Sequence, residues 1–100
     1  MMDAALREAL RVCYEPMSGR DIVALGLVRS ATLELDHEAP GAHIAEAEPR
    51  FLARITLTAP STDDAANEQL RAVIVNRLAG LREISRSEIV LLPPLFPILR

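Results

Sequence analysis

Hydrophobic positions recur along this chain with two different periods, and the switches between them mark its elements. In "DAALREALRVCY", residues 3–14, Ala5, Leu6, Ala9, Leu10 and Cys13 return at steps of three and four. That spacing puts one apolar stripe on a helix. Asp3 stands where it can cap this helix or face the positive end of its dipole. Pro16 restricts the residue before it, so the helix should end at or before Glu15. "EPMSG" then reads as a turn, with Gly19 free to take positive φ.

The period changes after the turn. Ile22, Val23, Leu25, Leu27 and Val28 are too dense for a surface loop. They predict a short structured turn over 21–26, with Gly26 closely packed, and a strand over 27–35. Leu33 and Leu35 alternate there with Thr32 and Glu34. The pattern lapses in "DHEAPGAHIAEAEP", residues 36–49, which predicts a long link, mobile at its tip. It is read as a hairpin connection, because neither flank alone could bury a core.

Alternation returns in "RFLARITLTA", residues 50–59. Phe51, Ala53, Ile55, Leu57 and Ala59 face one way, and Arg50, Leu52, Arg54, Thr56 and Thr58 the other. The two strands flanking the link can pair antiparallel. Residues 62–80 predict a second helix with the stripe Ala66, Leu70, Val73, Ile74, Leu78 and Leu81, ended by Gly80. "SRSEIVLL", residues 85–92, predicts a third strand. The prolines of "PPLFPILR" forbid ordinary ladder pairing, so the end should pack as an extended tail.

The expected fold is therefore α+β, in the order helix–strand–strand–helix–strand. Two helices would pack on one face of a three-stranded mixed sheet. A third strand parallel to its neighbour would need a right-handed crossover through helix 62–80. With 100 residues, the chain is read as a single domain over 1–100.

Composition narrows the function. Half the residues are hydrophobic but only one Tyr and two Phe are aromatic, so the core must be aliphatic. The net charge is −3 and all 11 basic residues are arginines, with no basic stripe or interleaved aromatics. Nucleic acid is not an expected partner. A lone cysteine, Cys13, allows no internal disulfide and no cysteine cluster on one chain. The start lacks signal-peptide form, and the longest apolar run falls short of the roughly 20 residues that span a bilayer. A cytoplasmic protein without membrane contact is the expectation.

Candidate chemistry gathers in "PSTDD", where strand meets helix. Ser61 or Thr62 can accept a hydrogen bond from a helix N–H, and Ser61 and Asp64 have capping-box spacing. Asp63 and Asp64 suit the helix dipole and disfavour an anion there. A hydroxyl nucleophile needs a base. The only histidines, His37 and His43, lie in the link, so no catalytic residue is assigned. Those histidines, with Asp36, Glu38, Glu46 and Glu48, read as a solvated link with at most adventitious affinity for a divalent ion. Cys13 reads as a buried hydrophobe whose pKa would be raised at a helix C-terminus. No metal site and no cofactor are assigned. Arg50 and Arg54 share a strand face, either solvated or gripping an acidic partner. Leu95, Phe96, Ile98 and Leu99 either cover the domain's own sheet or meet a partner or second copy.

Four segments together resemble the MIP18 family (DUF59), the iron–sulfur cluster assembly domain. "ALREALRVCYEP" is similar to its first helix and acidic turn, and "GRDIVALGLV" to its Asn-Ile-Val-Asp-Leu-Gly-Leu-Val signature. "ITLTAP" resembles its Thr-Leu-Thr-x-Pro strand end, and "EIVLLPPL" its closing Pro-Pro-Trp strand. The resemblance covers nearly the whole chain. It implies an α+β domain in iron–sulfur protein maturation, working beside carriers or target proteins. Glu15 matches the family's turn carboxylates in kind, but Met17 stands where a Glu would be and Ala24 where an Asp would be. The family's reactive cysteine corresponds to Thr62, followed here by Asp63, and Leu95 replaces the Trp. A threonine hydroxyl is a poor iron ligand beside a thiolate. The expected role is an accessory or scaffold protein in metal–sulfur cluster assembly, acting through protein contacts. The alternatives are a cluster carrier using Glu15, Asp63 and a partner's cysteines, or a structural subunit of another complex.

Overall fold

A computed structural model of the chain describes residues 3–41, 44 and 48–93. The first helix, α1, is Asp3–Ala9 and runs into a single 3₁₀ turn, Leu10–Val12. Strand β1 is Val28–Leu35, β2 is Phe51–Thr58, α2 is Asp64–Ala79 and β3 is Ile84–Leu92. The architecture is α+β with the expected element order. The sheet order is β1-β2-β3, with β2 central, antiparallel to β1 and parallel to β3.

The helical stripe ends earlier than its periodicity suggests. Cys13 is already extended, at φ −93° and ψ 114°. The backbone there has another partner: Ile22 N–H donates to Cys13 O, Glu15 N–H donates to Arg20 O, and Tyr14 bridges Asp21. A tertiary ladder thus replaces the last helical turn, at positions where Val, Cys and Tyr have little helix preference. Leu6, Leu10 and Cys13 remain fully buried, while Ala5 is exposed.

The strand alternation becomes two unlike faces. On one, Ala53, Ile55, Leu57 and Ile89 meet Leu6 and Leu10 from the first helical segment and Leu70, Ile74 and Leu78 from α2. Both helices therefore cover the same face. Each buried Leu or Ile contributes roughly 1.5–3 kcal/mol relative to exposure. On the helix-free face, Arg54 bridges Glu34 of β1 at 3.0 Å and Glu88 of β3 at 2.8 Å. Leu52 is also buried on that side, and Leu35, expected inward, is half exposed at the sheet's end.

The sheet's free edges are each plugged by a helix-borne side chain. Asp36 N–H donates to Arg50 O, so even-numbered residues of β1 turn toward β2 and odd ones turn outward. The outward Leu33 N–H donates to Asp3 Oδ1 at 3.0 Å. Asp3 thus serves the sheet edge, beyond the helix-start roles its position suggested. On β3, Ala59 N–H donates to Leu92 O, which turns the odd-numbered carbonyls outward. Arg71 of α2 donates to one of these, Ile89 O. Occupied edge groups discourage strand addition by another chain.

Two further expectations are corrected, at Gly26 and in the link, while the end of α2 at Gly80 is as expected. Gly26 is not closely packed: it is exposed, at φ +73° with open space around its Cα, and closes the 21–26 turn through positive φ. Gly80 ends α2 without a left-handed conformation, at φ −77°, its N–H donating to Arg77 O. The link does not begin as a mobile segment. Asp36 and Ala39 are buried, and Asp36 accepts from Ser85 Oγ at 2.6 Å, Glu38 N–H at 3.0 Å and Arg86 Nε at 3.2 Å. Ser85 is the extra residue where the β2–β3 register slips, so a bulge aims its hydroxyl at this carboxylate. The tip residues 42, 43 and 45–47 lie outside the described residues, as does the tail from 94 on.

Candidate functional site: the strand–helix corner and the acidic turn

The corner is built from β2 outward. Ala59 is buried and tied to Leu92 O, which fixes the exit of β2 against the end of β3. Asp63 N–H donates to Ser61 Oγ at 2.9 Å, a local turn that orients the next residue. Asp63 is itself the cap: extended at φ −79° and ψ 113°, it accepts from Ala65 N–H through Oδ1 at 3.0 Å. The expected cap at Ser61 or Thr62 is thus displaced by one or two residues, and the Ser61–Asp64 box does not form. Ser61 acts one step earlier, because its hydroxyl is already engaged by Asp63.

Asn67, which periodicity did not single out, closes the corner. Its Nδ2 donates to Ser61 O at 2.9 Å, and its Oδ1 is buried with no hydrogen-bond partner. The available signal was its position four residues after Asp63, whose carbonyl accepts from Asn67 N–H. Ala59, Ser61, Thr62, Asp64, Asn67, Leu91, Leu92 and Pro93 line a cleft of about 300 Å³. It offers hydroxyls, a carboxylate and an amide, with no thiol or imidazole among its lining groups. Such a set suits hydrogen bonding, and Asp63 with Asp64 at the helix start disfavours an anion.

The acidic turn is a separate unit. Glu15 is buried and accepts from Met17 N–H through Oε2 and Ser18 N–H through Oε1, both at 2.8 Å. Burial alone would push this carboxyl up. The donors of Met17 and Ser18, including the Ser18 hydroxyl, outweigh it and hold the group below the usual glutamate range. Gly19 takes φ +68°, as the turn requires, and donates to Glu15 O. The turn leaves Tyr14 half exposed and Met17 77% exposed. Ala24 is exposed, and its N–H donates to Asp21 Oδ1 at 2.7 Å. Beneath, Ile22 is fully buried.

The partners of Glu15 lie in its own turn and that of Asp63 in its own helix, so hydrogen bonding does not bring these two family-like positions together. Cys13 is buried, as expected. Burial pushes its thiol up, partly opposed by the charge of Arg77. Among the described residues no three His, Cys, Asp or Glu side chains gather to hold a metal ion. The link carboxylates are engaged instead: Asp36 and Glu38 with Arg86, and Glu48 with Arg82. His43 and Glu46 lie outside the described residues.

Both arginines singled out for partner binding have partners within the chain. Arg50 donates to Arg82 O and Ile84 O, clamping the loop between α2 and β3. Arg54 sits between Glu34 and Glu88. Leu95 and Phe96 fall outside the described residues. Compared with protein-family models, curated proteins and solved structures, the chain matches none.

Proposed function

We propose that this chain is an accessory or scaffold protein of iron–sulfur cluster assembly, acting through protein contacts and performing no catalytic step. The reading rests on the resemblance of "GRDIVALGLV" and its flanking motifs, with Thr62 at the position of the family cysteine. The observation that carries the contact mode is the acidic turn. Glu15 is spent on the Met17 and Ser18 N–H groups, and Ile22 anchors the turn to the core. What the turn offers outward is Tyr14 and Met17. Exposed aromatic and methionine side chains on a rigid turn suit protein recognition. The carrier alternative asks Glu15 to leave two short hydrogen bonds before it could ligate iron, which weighs against it.

The protein would act in the cytoplasm, and no described helix is long and apolar enough to cross a membrane. Its partners would be cluster-assembly factors or target proteins. The test is affinity purification from the native cell with metal analysis, paired with anaerobic iron–sulfur reconstitution of the isolated chain. Co-purification with assembly factors, reduced by Met17→Asp, and a colourless isolated chain are expected. A stable cluster ligated by Cys13, or capture of one unrelated complex insensitive to iron, overturns the reading.

A further inference from the structure

No described helix covers the second face of the sheet, and its side chains fall into cross-strand rows. Arg54 on β2 pairs in register with Glu88 on β3, Thr56 with Val90, and Thr58 with Leu92. Each row sets unlike neighbours side by side: a cation beside an anion, then a hydroxyl beside an aliphatic group, and then the same again. Val90 is 49% and Leu92 40% exposed. The Arg54 and Glu88 side chains are about half exposed although they bridge each other at 2.8 Å, so both can take a further partner from above.

We propose that this face is a self-complementary docking surface for a second copy of the chain, with β2 of each copy stacked over β3 of the other.

The row pattern selects this occupant. A two-fold axis along the strands, midway between β2 and β3, carries each strand over the other and keeps every row at its own height. Arg54 of one copy then lies over Glu88 of the other, and the reverse, so the charges alternate in sign around a square. The same operation puts Val90 over Thr56 and Leu92 over Thr58, where threonine methyls meet aliphatic side chains. Face-to-face sheets lie about 10 Å apart with strand directions within about 30° of each other, which this axis permits. Glu34 on β1 falls outside the overlap and stays beside Arg54 of its own chain.

Competing stackings lose the match. An axis along β2 itself, or across the strands at the charged row, sets Arg54 over Arg54, and like charges in contact are costly. An axis across the strands between Val90 and Leu92 overlaps only the two aliphatic rows, because β3 ends at Leu92. A two-fold dimer requires a patch that complements itself, and the rows supply one. The edges do not compete, since Asp3 and Arg71 hold Leu33 N–H and Ile89 O. The overlap is two strands wide, which falls short of the roughly 800 Å² per partner of a standard interface, so the dimer is weak and concentration-dependent.

The inference does not depend on any role in cluster assembly. Sedimentation of the full chain over about 10 μM to 1 mM, the range of weak complexes, tests it. The unsubstituted chain should pass from monomer to dimer across that range, and added salt should move the transition to higher concentration. Arg54→Glu and Glu88→Arg should each stay monomeric, a weakening of about tenfold or more. Mixed one to one, these two variants should associate again, since every facing pair is then opposite in sign. Val90→Asp, at a position outside the ion pairs, should also stay monomeric, and circular dichroism checks that each variant is folded. A chain that stays monomeric across the whole range overturns the proposal. So does a dimer that neither charge reversal weakens, because its interface then lies elsewhere, and so does a mixture of the two variants that remains monomeric.

Discussion

The two faces of the sheet use the same three strands and hold them in opposite ways. The helix-covered face is a continuous aliphatic layer of Ala53, Ile55, Leu57 and Ile89 under Leu10, Leu70 and Ile74. The helix-free face is held by charge, through the Glu34–Arg54–Glu88 row and the Asp36–Ser85–Arg86 cluster at its end. The first face gains from area removed from water, which has no direction and is not screened by salt as an ion pair is. The second gains from placement: its ion pairs cross strand boundaries and so fix which residue faces which. A one-residue slip of β2 would bury Arg54 and expose Ile55. The apolar face resists that slip energetically, and the charged face marks the register.

Mutations can break this comparison. The largest effect should come from Ile74→Ala, which leaves a cavity under both helices. A loss of about 2–5 kcal/mol is expected in urea unfolding. A loss no larger than that of a surface change would mean the faces are not distinct.

Asp36→Asn should come next, and its effect should depend on pH. The Ser85 hydroxyl, then Glu38 N–H and Arg86, work against burial and hold the Asp36 carboxyl below its usual range. A carboxyl depressed in the folded state stabilises above its unfolded pKa, and that gain is lost as pH falls through its folded pKa. The variant should therefore have a lower unfolding midpoint at neutral pH, and the gap should narrow on acidification below the ordinary carboxylate range. A gap constant with pH would assign the effect to shape instead of charge.

The smallest effect should come from Arg54→Ala. Its side chain and both glutamates are about half exposed, so a change within about 1 kcal/mol is expected. It should shrink with added salt. A salt-insensitive loss as large as that of Ile74→Ala would reverse the ranking of the two faces.

Much of this arrangement was legible in the residue pattern, for a physical reason. The Ala53-Ile55-Leu57 alternation and the Leu70-Ile74-Leu78 stripe repeat over several periods, and a repeated period admits one element type. The Glu15 turn was also legible, since a carboxylate beside proline with a glycine four residues on has few other uses. The corner was legible only in part. Ser, Thr and two Asp at a helix start all favour capping, and periodicity does not choose among neighbours. The choice of Asp63 depended on the Ser61 turn preceding it. Asp36 was misplaced in a solvated link, because its partners Ser85 and Arg86 lie 49 and 50 residues away.

The sequence by itself determined the elements, their order and the aliphatic character of the core, because local periodicity and turn chemistry act over a few residues. Tertiary structure decided the end of the first helix, the neighbours of Asp36, and the use of Asp3 and Arg71 as edge plugs. The helix end depends on a ladder to the turn that follows it, and the other two on hydrogen bonds between groups far apart in the chain. Such partners acquire their addresses only when the strands have paired and the helices have docked.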